Sequence, residues 1–197
     1  MTPIYDVTLV AGSTTLTFTH PSVYKRIANN NKTEELTMNI FYLHTNPDLA
    51  ARMHCDKHVV KMILESAQIL CTILNEARGE QCTPYKSTHR SHPCTLWAAQ
   101  SRTNALWLYS LAESLNNEFM FRFDHTTDHK SMTMLKEANV RGLIHYYIPD
   151  VPPAPPAQAM PDYLRTDDAV FSYRLYYKLE KQHLLKYTKR LPPEWLE

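Results

Sequence analysis

His54 and His58 stand four residues apart in "HCDKHVVK", with Lys61 and Glu65 following on the same side of any helix the segment forms. At about 100° per residue the four side chains share one narrow stripe. Three chemistries suit that stripe. Two imidazoles at i and i+4 can hold a divalent metal if further ligands arrive from elsewhere, and His125, His129, Asp124 and Glu118 are the candidates. The HExxH string of zinc proteases is absent, since Cys55 occupies the place of its glutamate. Without a metal, Lys61 can attack a sugar C1′ or a carbonyl as a Schiff-base amine while Glu65 shuttles protons, with His54 and His58 alongside. The third reading is structural: hydrogen-bonded histidines beside a Lys61–Glu65 pair.

Two further clusters bear on phosphate. "THRSHPCT" (residues 88–95) lies where a helix should begin, and His89, Arg90 and His92 there could hold an anion against the unpaired N–H groups of the helix start. The alternative is that His92 merely caps that helix. The closing run "YRLYYKLEKQHLLKYTKR" carries six lysines or arginines against one acid, with Tyr176, Tyr177 and Tyr187 interleaved. Arg174, Lys178 and Lys181 are its phosphate-contact candidates, and tyrosine rings can stack on bases. The ordinary alternative packs the tyrosines inward beneath solvated lysines.

These residues need elements to position them. Asn46 followed by Pro47 is a helix start, and apolar residues at helical spacing run from Leu49 to Leu74 until Gly79 stops them. The pattern predicts one helix there. A second is predicted from Pro93 to about Phe119, a shorter one within 125–147, and a last one over roughly 167–189. The stretch 149–161 holds six of the thirteen prolines and should run extended. Before Met38 the texture differs: "YDVTLVAGSTTLTF" alternates about Gly12-Ser13 as a hairpin does, and "NNNKTEEL" reads as a joint. "MNIFYLH" is a short strand-like run. The expected class is mainly α: residues 1–37 as an extension with a small N-terminal β-hairpin, and residues 38–197 as a single helical domain.

Composition narrows the function classes. The chain has 197 residues, three glycines and neither a GxGxxG nor a GxxxxGK[ST] string, which argues against a nucleotide-binding α/β enzyme and against a nucleotide cofactor. A net charge of +1 leaves any attraction to nucleic acid to local clustering. Four cysteines in no CxxC pair suggest reduced thiols. No apolar run approaches the roughly 18 residues of a membrane span, so a cytoplasmic protein without a membrane partner is expected.

With these residues in view, the run from Met38 onward resembles a family of small uncharacterised proteins of tailed bacteriophages. The strings that carry the likeness are "CDKHVVKMILESAQ", "THRSHPCTLWA", "AMPDYL", "YRLYYKLEK" and "PEWL". This implies a phage origin, hence the cytoplasm of a bacterial host, and a mainly helical domain. A more distant likeness is to the pyrimidine-dimer DNA glycosylases of the endonuclease V type. It rests on Leu43-His44, Leu49-Ala50, His92-Pro93, the Leu108 to Glu118 helix and Phe123-Asp124. That family attacks with its own N-terminal amine and relies on a glutamate in its first helix. Here 37 residues precede the matching start, and the glutamate's approximate place falls at His58 to Lys61.

The leading expectation is therefore a DNA-processing enzyme of N-glycosylase/abasic-lyase character, with DNA as partner and no cofactor. A metal-dependent hydrolase or nuclease using His54, His58, His125 and His129, and a non-catalytic phage accessory or DNA-binding protein, stay open beside it.

Overall fold

The computed structural model describes residues 38–197, so the hairpin and joint expected within residues 1–37 lie outside the described residues. What is described is mainly α: α1 (Pro47–Met53), α2 (Asp56–Arg78), α3 (Pro93–Gln100), α4 (Arg102–Phe123), α5 (Lys130–Glu137), α6 (Val140–Tyr147) and α7 (Ala169–Glu180). No helix among the described residues is long and apolar enough to cross a membrane.

Several ends follow local chemistry. The Asn46 side chain accepts the N–H groups of Asp48 and Leu49, with Pro47 at the first helical position, where its missing donor is no loss. Gly79 closes α2 at φ 86°, a left-handed conformation that glycine adopts without steric cost.

The expected continuous helix over 47–79 is broken. His54 and Cys55 are extended, with ψ of 137° and 160°. The break is held from far along the chain: the Arg122 guanidinium donates to the carbonyls of Arg52 (2.9 Å) and His54 (2.8 Å), and the Asp56 N–H donates to Lys186 O at 2.8 Å. The Pro93–Phe119 helix likewise divides at Ser101, whose hydroxyl caps α4 by accepting the Asn104 N–H at 3.1 Å. The helix expected within 125–147 is two short ones, α5 and α6, separated at Asn139, which sits at φ 48°. The closing helix ends at Glu180, not near 189. A short 3-10 turn, Gln182–Leu184, then sends the chain back to the α1–α2 junction.

"MNIFYLH" is not a strand but a turn built on Asn39, whose side-chain oxygen accepts the N–H groups of Ile40 and Phe41, each at 2.8 Å. Phe41 sits at φ 38°, a strained setting for a bulky residue that only surrounding contacts can impose.

The core gathers around α2, which packs against α3, α4, α5 and α6, while α1 lies on α4. Ile63, Ile69, Leu70, Ile73 and Leu74 of α2 and Leu108, Leu111 and Leu115 of α4 are fully buried. Each such side chain contributes roughly 1.5–3 kcal/mol of transfer free energy. The proline-rich segment runs extended as expected: Trp97 Nε1 donates to Ala154 O at 3.1 Å, and Asn39 Nδ2 donates to Ala159 O at 2.7 Å.

Candidate active site

At 100° per residue, His58, Lys61, Glu65, Thr72 and Glu76 fall within about 60° of one another on α2. They form a polar seam along the helix, beside its apolar face. His58, Glu65, Thr72 and Glu76 are buried, so each requires partners from other elements, because an unpaired polar group away from water is costly.

Glu65 is the centre of the seam. It is 6% exposed. Its Oε2 accepts the backbone N–H of Asn39 at 2.9 Å, and its Oε1 meets Lys61 Nζ at 2.8 Å. The turn on Asn39 aims that N–H at the carboxylate, and the same residue's amide is anchored on the proline-rich segment through Ala159. Burial raises the Glu65 pKa above the ordinary carboxylate range, opposed by the Lys61 and Asn39 hydrogen bonds and by the charges of Lys61 and His89. The Lys61 side chain is 53% exposed. A half-exposed amine thus rests on a buried carboxyl.

Toward the start of α2, the Tyr177 hydroxyl and His58 Nδ1 share a hydrogen bond of 2.5 Å, and the Phe41 ring stacks on the imidazole with centroids 4.4 Å apart. Burial pushes the His58 pKa down to about 3, helped by the charges of His54, Lys181, Lys61 and Lys57. The Tyr177 phenol is raised by burial, so both groups are neutral near pH 7. His58 is thereby held as a neutral imidazole bonded to Tyr177 at Nδ1.

His54 corrects the sequence expectation. It lies at the helix break, outside α2, so it does not share the stripe of His58, Lys61 and Glu65. Its ring is fully buried, its Nδ1 donates to Ala50 O at 2.7 Å, and its Nε2 has no partner among the described residues. Burial lowers its pKa to about 4. This is a histidine held neutral in the core.

At the far end of the seam, Thr72 Oγ1 accepts the Thr88 N–H at 3.1 Å, and Glu76 Oε1 accepts from Ser87 Oγ at 2.8 Å and pairs with Arg90 Nε at 2.9 Å. His89, at φ 48°, bonds the Thr88 hydroxyl at 2.8 Å. His92 caps α3: its Nδ1 accepts the Cys94 N–H at 3.2 Å. Burial lowers its pKa to about 4. The helix-start loop therefore docks on the seam, with the Arg90 charge compensated by Glu76 and the Cys94 N–H occupied by His92.

On the closing helix, Arg174 turns inward: its Nε donates to Leu43 O at 3.0 Å, and its guanidinium lies 5.6 Å from the Trp195 ring centroid. Lys178 follows one turn later, and Lys181 Nζ lies over the Tyr176 ring at 4.6 Å. Tyr177 packs inward onto His58, as the ordinary reading of this helix expected. The metal alternative is not assembled. His125 stacks on Phe119 at 4.1 Å, and His129 caps α5 by accepting the Ser131 N–H at 3.2 Å. Glu118 is held by Arg122 and Arg190, and Asp124 by Lys189. Among the described residues, no three His, Cys, Asp or Glu side chains come together in a metal-holding group, so His54, His58, His125 and His129 do not form one.

Spacing identified Lys61 and Glu65; it missed Asn39 and Tyr177, which meet the seam from 26 and 119 residues away. Tyr177 lies within one of the strings that carry the phage resemblance, whereas Asn39 lies in none of them. "CDKHVVKMILESAQ" supplies His58, Lys61 and Glu65, "THRSHPCTLWA" the loop on Thr72 and Glu76, "AMPDYL" begins with the Ala159 anchor, and "YRLYYKLEK" holds Tyr177. No family model, curated protein or solved structure matches the chain.

Proposed function

We propose that the chain is a phage DNA-processing enzyme of N-glycosylase/abasic-lyase type, with Lys61 as the attacking amine and Glu65 as its proton shuttle. The observation that carries this reading is the Lys61 ammonium, half in solvent, seated on a buried carboxyl whose pKa burial has raised. An amine attacks only when neutral, so a carboxyl poised to take its proton is the partner such a reaction needs. The phage origin and the host cytoplasm rest on the sequence likeness and belong to the same reading.

Lys61 passes a proton to Glu65, and its lone pair attacks C1′. The C1′–N glycosidic bond breaks with its electron pair on the departing base, which takes the proton from Glu65. Nitrogen then loses its second proton to the carboxylate. Its lone pair opens the C1′–O4′ bond, O4′ is protonated by Glu65, and an iminium between Lys61 and C1′ remains. The base must be turned out of the stack to be reached. His58, neutral and fixed by Tyr177 and Phe41, positions the wall of the site and carries no proton in this scheme.

Borohydride trapping on an abasic-site duplex tests the reading, because hydride reduces the iminium to a stable amine. The full chain should form a covalent band. Lys61→Ala should abolish it, and Glu65→Gln should slow it by about a hundredfold or more. A chain beginning at Met38 supplies the competing amine, one residue from the Asn39 N–H that already meets Glu65. A band that survives Lys61→Ala only in that form would move the nucleophile there. No band from either length would remove the Schiff-base mechanism and leave a DNA-binding accessory protein.

A further inference from the structure

On the side of α1 facing the chain end lies a cleft of about 420 Å³, lined by His44, Arg52, Arg174, Arg190, Leu191 and Trp195 among others. Three guanidinium groups converge on it. Arg52 is paired with Asp48 at 2.9 Å, and Arg190 is paired with Glu118 at 2.6 Å. Arg174 differs. It is partly buried, its Nε is satisfied by a carbonyl, and no carboxylate pairs with it among the described residues. Glu194 also lines the cleft, so two compensated arginines, one uncompensated arginine and one acid meet there.

A partly buried cation without a counter-charge favours an anion with several acceptor oxygens. At the rim, Leu191 is 90% exposed between Arg190 and Pro192. An apolar side chain held in water beside arginines suits the sugar and base edges next to a phosphate.

We infer that this cleft binds a phosphodiester of a nucleic-acid strand, with Arg174 as the direct contact, Arg52 and Arg190 reinforcing the field, and Leu191 against the neighbouring nucleotide. The inference rests on the DNA reading above and names a strand-holding site separate from Lys61 and Glu65.

The test is binding of a fluorescein-labelled abasic-site duplex by anisotropy across a salt series, using the full chain. Arg174→Gln keeps most of the side chain's bulk and should weaken binding roughly tenfold, with the slope of log K against log salt falling by about one. Arg52→Gln, whose side chain is 50% exposed and pairs with Asp48 on the same helix, should move binding in the same direction without endangering the fold. Arg141→Gln, on α6 and paired with Glu113, serves as the control and should do nothing. Unchanged affinity and slope in both cleft variants, with wild-type unfolding midpoints, overturn the inference, as does a wild-type chain that binds no DNA. If both variants lose binding while the wild type shows no borohydride band, the cleft stands and the lyase reading falls. If trapping proceeds and both variants bind normally, the cleft falls alone.

Discussion

Arg122 is fully buried. Its guanidinium donates to Glu118 at 2.8 Å, to Asp56 at 3.3 Å, and to the carbonyls that end α1. Burial pushes Glu118 up, but hydrogen bonds from Arg190 and Arg122 outweigh it and hold the carboxyl below its ordinary range. Removing Arg122 leaves Glu118 with Arg190 alone and Asp56 with no counter-charge, and breaking a buried charge group in this way costs about 3–5 kcal/mol. Arg122→Met, similar in bulk, should therefore lower stability by about that amount in denaturant unfolding. A loss below about 1 kcal/mol would mean that the guanidinium is not what holds the break. The same group accounts for His54: once the α1 carbonyls are bound to Arg122, the histidine between the helices is enclosed, and its place in "HCDKHVVK" is structural.

At the scale of elements, the α1–α2 junction shows which boundaries a sequence carries. Asn46-Pro47, Gly79 and His92-Pro93 mark ends by local chemistry, and those ends are where the sequence puts them. The break at His54–Cys55 has no proline or glycine, because its cause lies on α4 and on the returning chain end: Lys186 O takes the Asp56 N–H, and Thr188 donates to Asp56 through its N–H and its hydroxyl, the latter at 2.7 Å. The closing helix stops at Glu180 without a breaker for the same reason, since residues 182–190 are needed at that junction. The candidate site divides in the same way. Lys61–Glu65 is an i,i+4 pair and legible; the partners that bury Glu65 and fix His58 arrive through tertiary contacts that spacing does not encode. A chain ending at Leu185 should loosen α1 selectively. Losing two or more bonds to or from Asp56, each worth about 1.5–3 kcal/mol when a charge is involved, should speed hydrogen exchange at the α1 amides on the order of a hundredfold. The interior of α2 should stay slow. Equal acceleration in both helices would show that the chain end supports the whole core instead of the junction.

At the scale of the whole molecule, the seam and the core together keep three imidazoles neutral: His58 pushed to about 3, and His54 and His92 to about 4. In the unfolded chain each returns to about 6.5. Below that value the unfolded state binds protons that the folded state refuses, so stability falls with pH from about 6.5 until the folded values are reached near 3–4. Each group contributes about 1.4 kcal/mol per pH unit within the window, and the three together about 4 kcal/mol per unit near pH 5. Glu65 works the other way. Its raised folded pKa means that the folded state takes a proton first as pH falls, which offsets part of the loss between that pKa and its ordinary value. The expected result is a chain stable at pH 7.5 whose denaturant midpoint drops steeply between pH 6 and pH 5. His92→Asn separates this from general acid sensitivity. Asparagine keeps a side-chain acceptor for the Cys94 N–H and does not titrate, so the slope should shrink by about a third while stability at pH 7.5 changes little. An unaltered slope in that variant, or stability that rises on acidification, would mean that these histidines are not held neutral by burial.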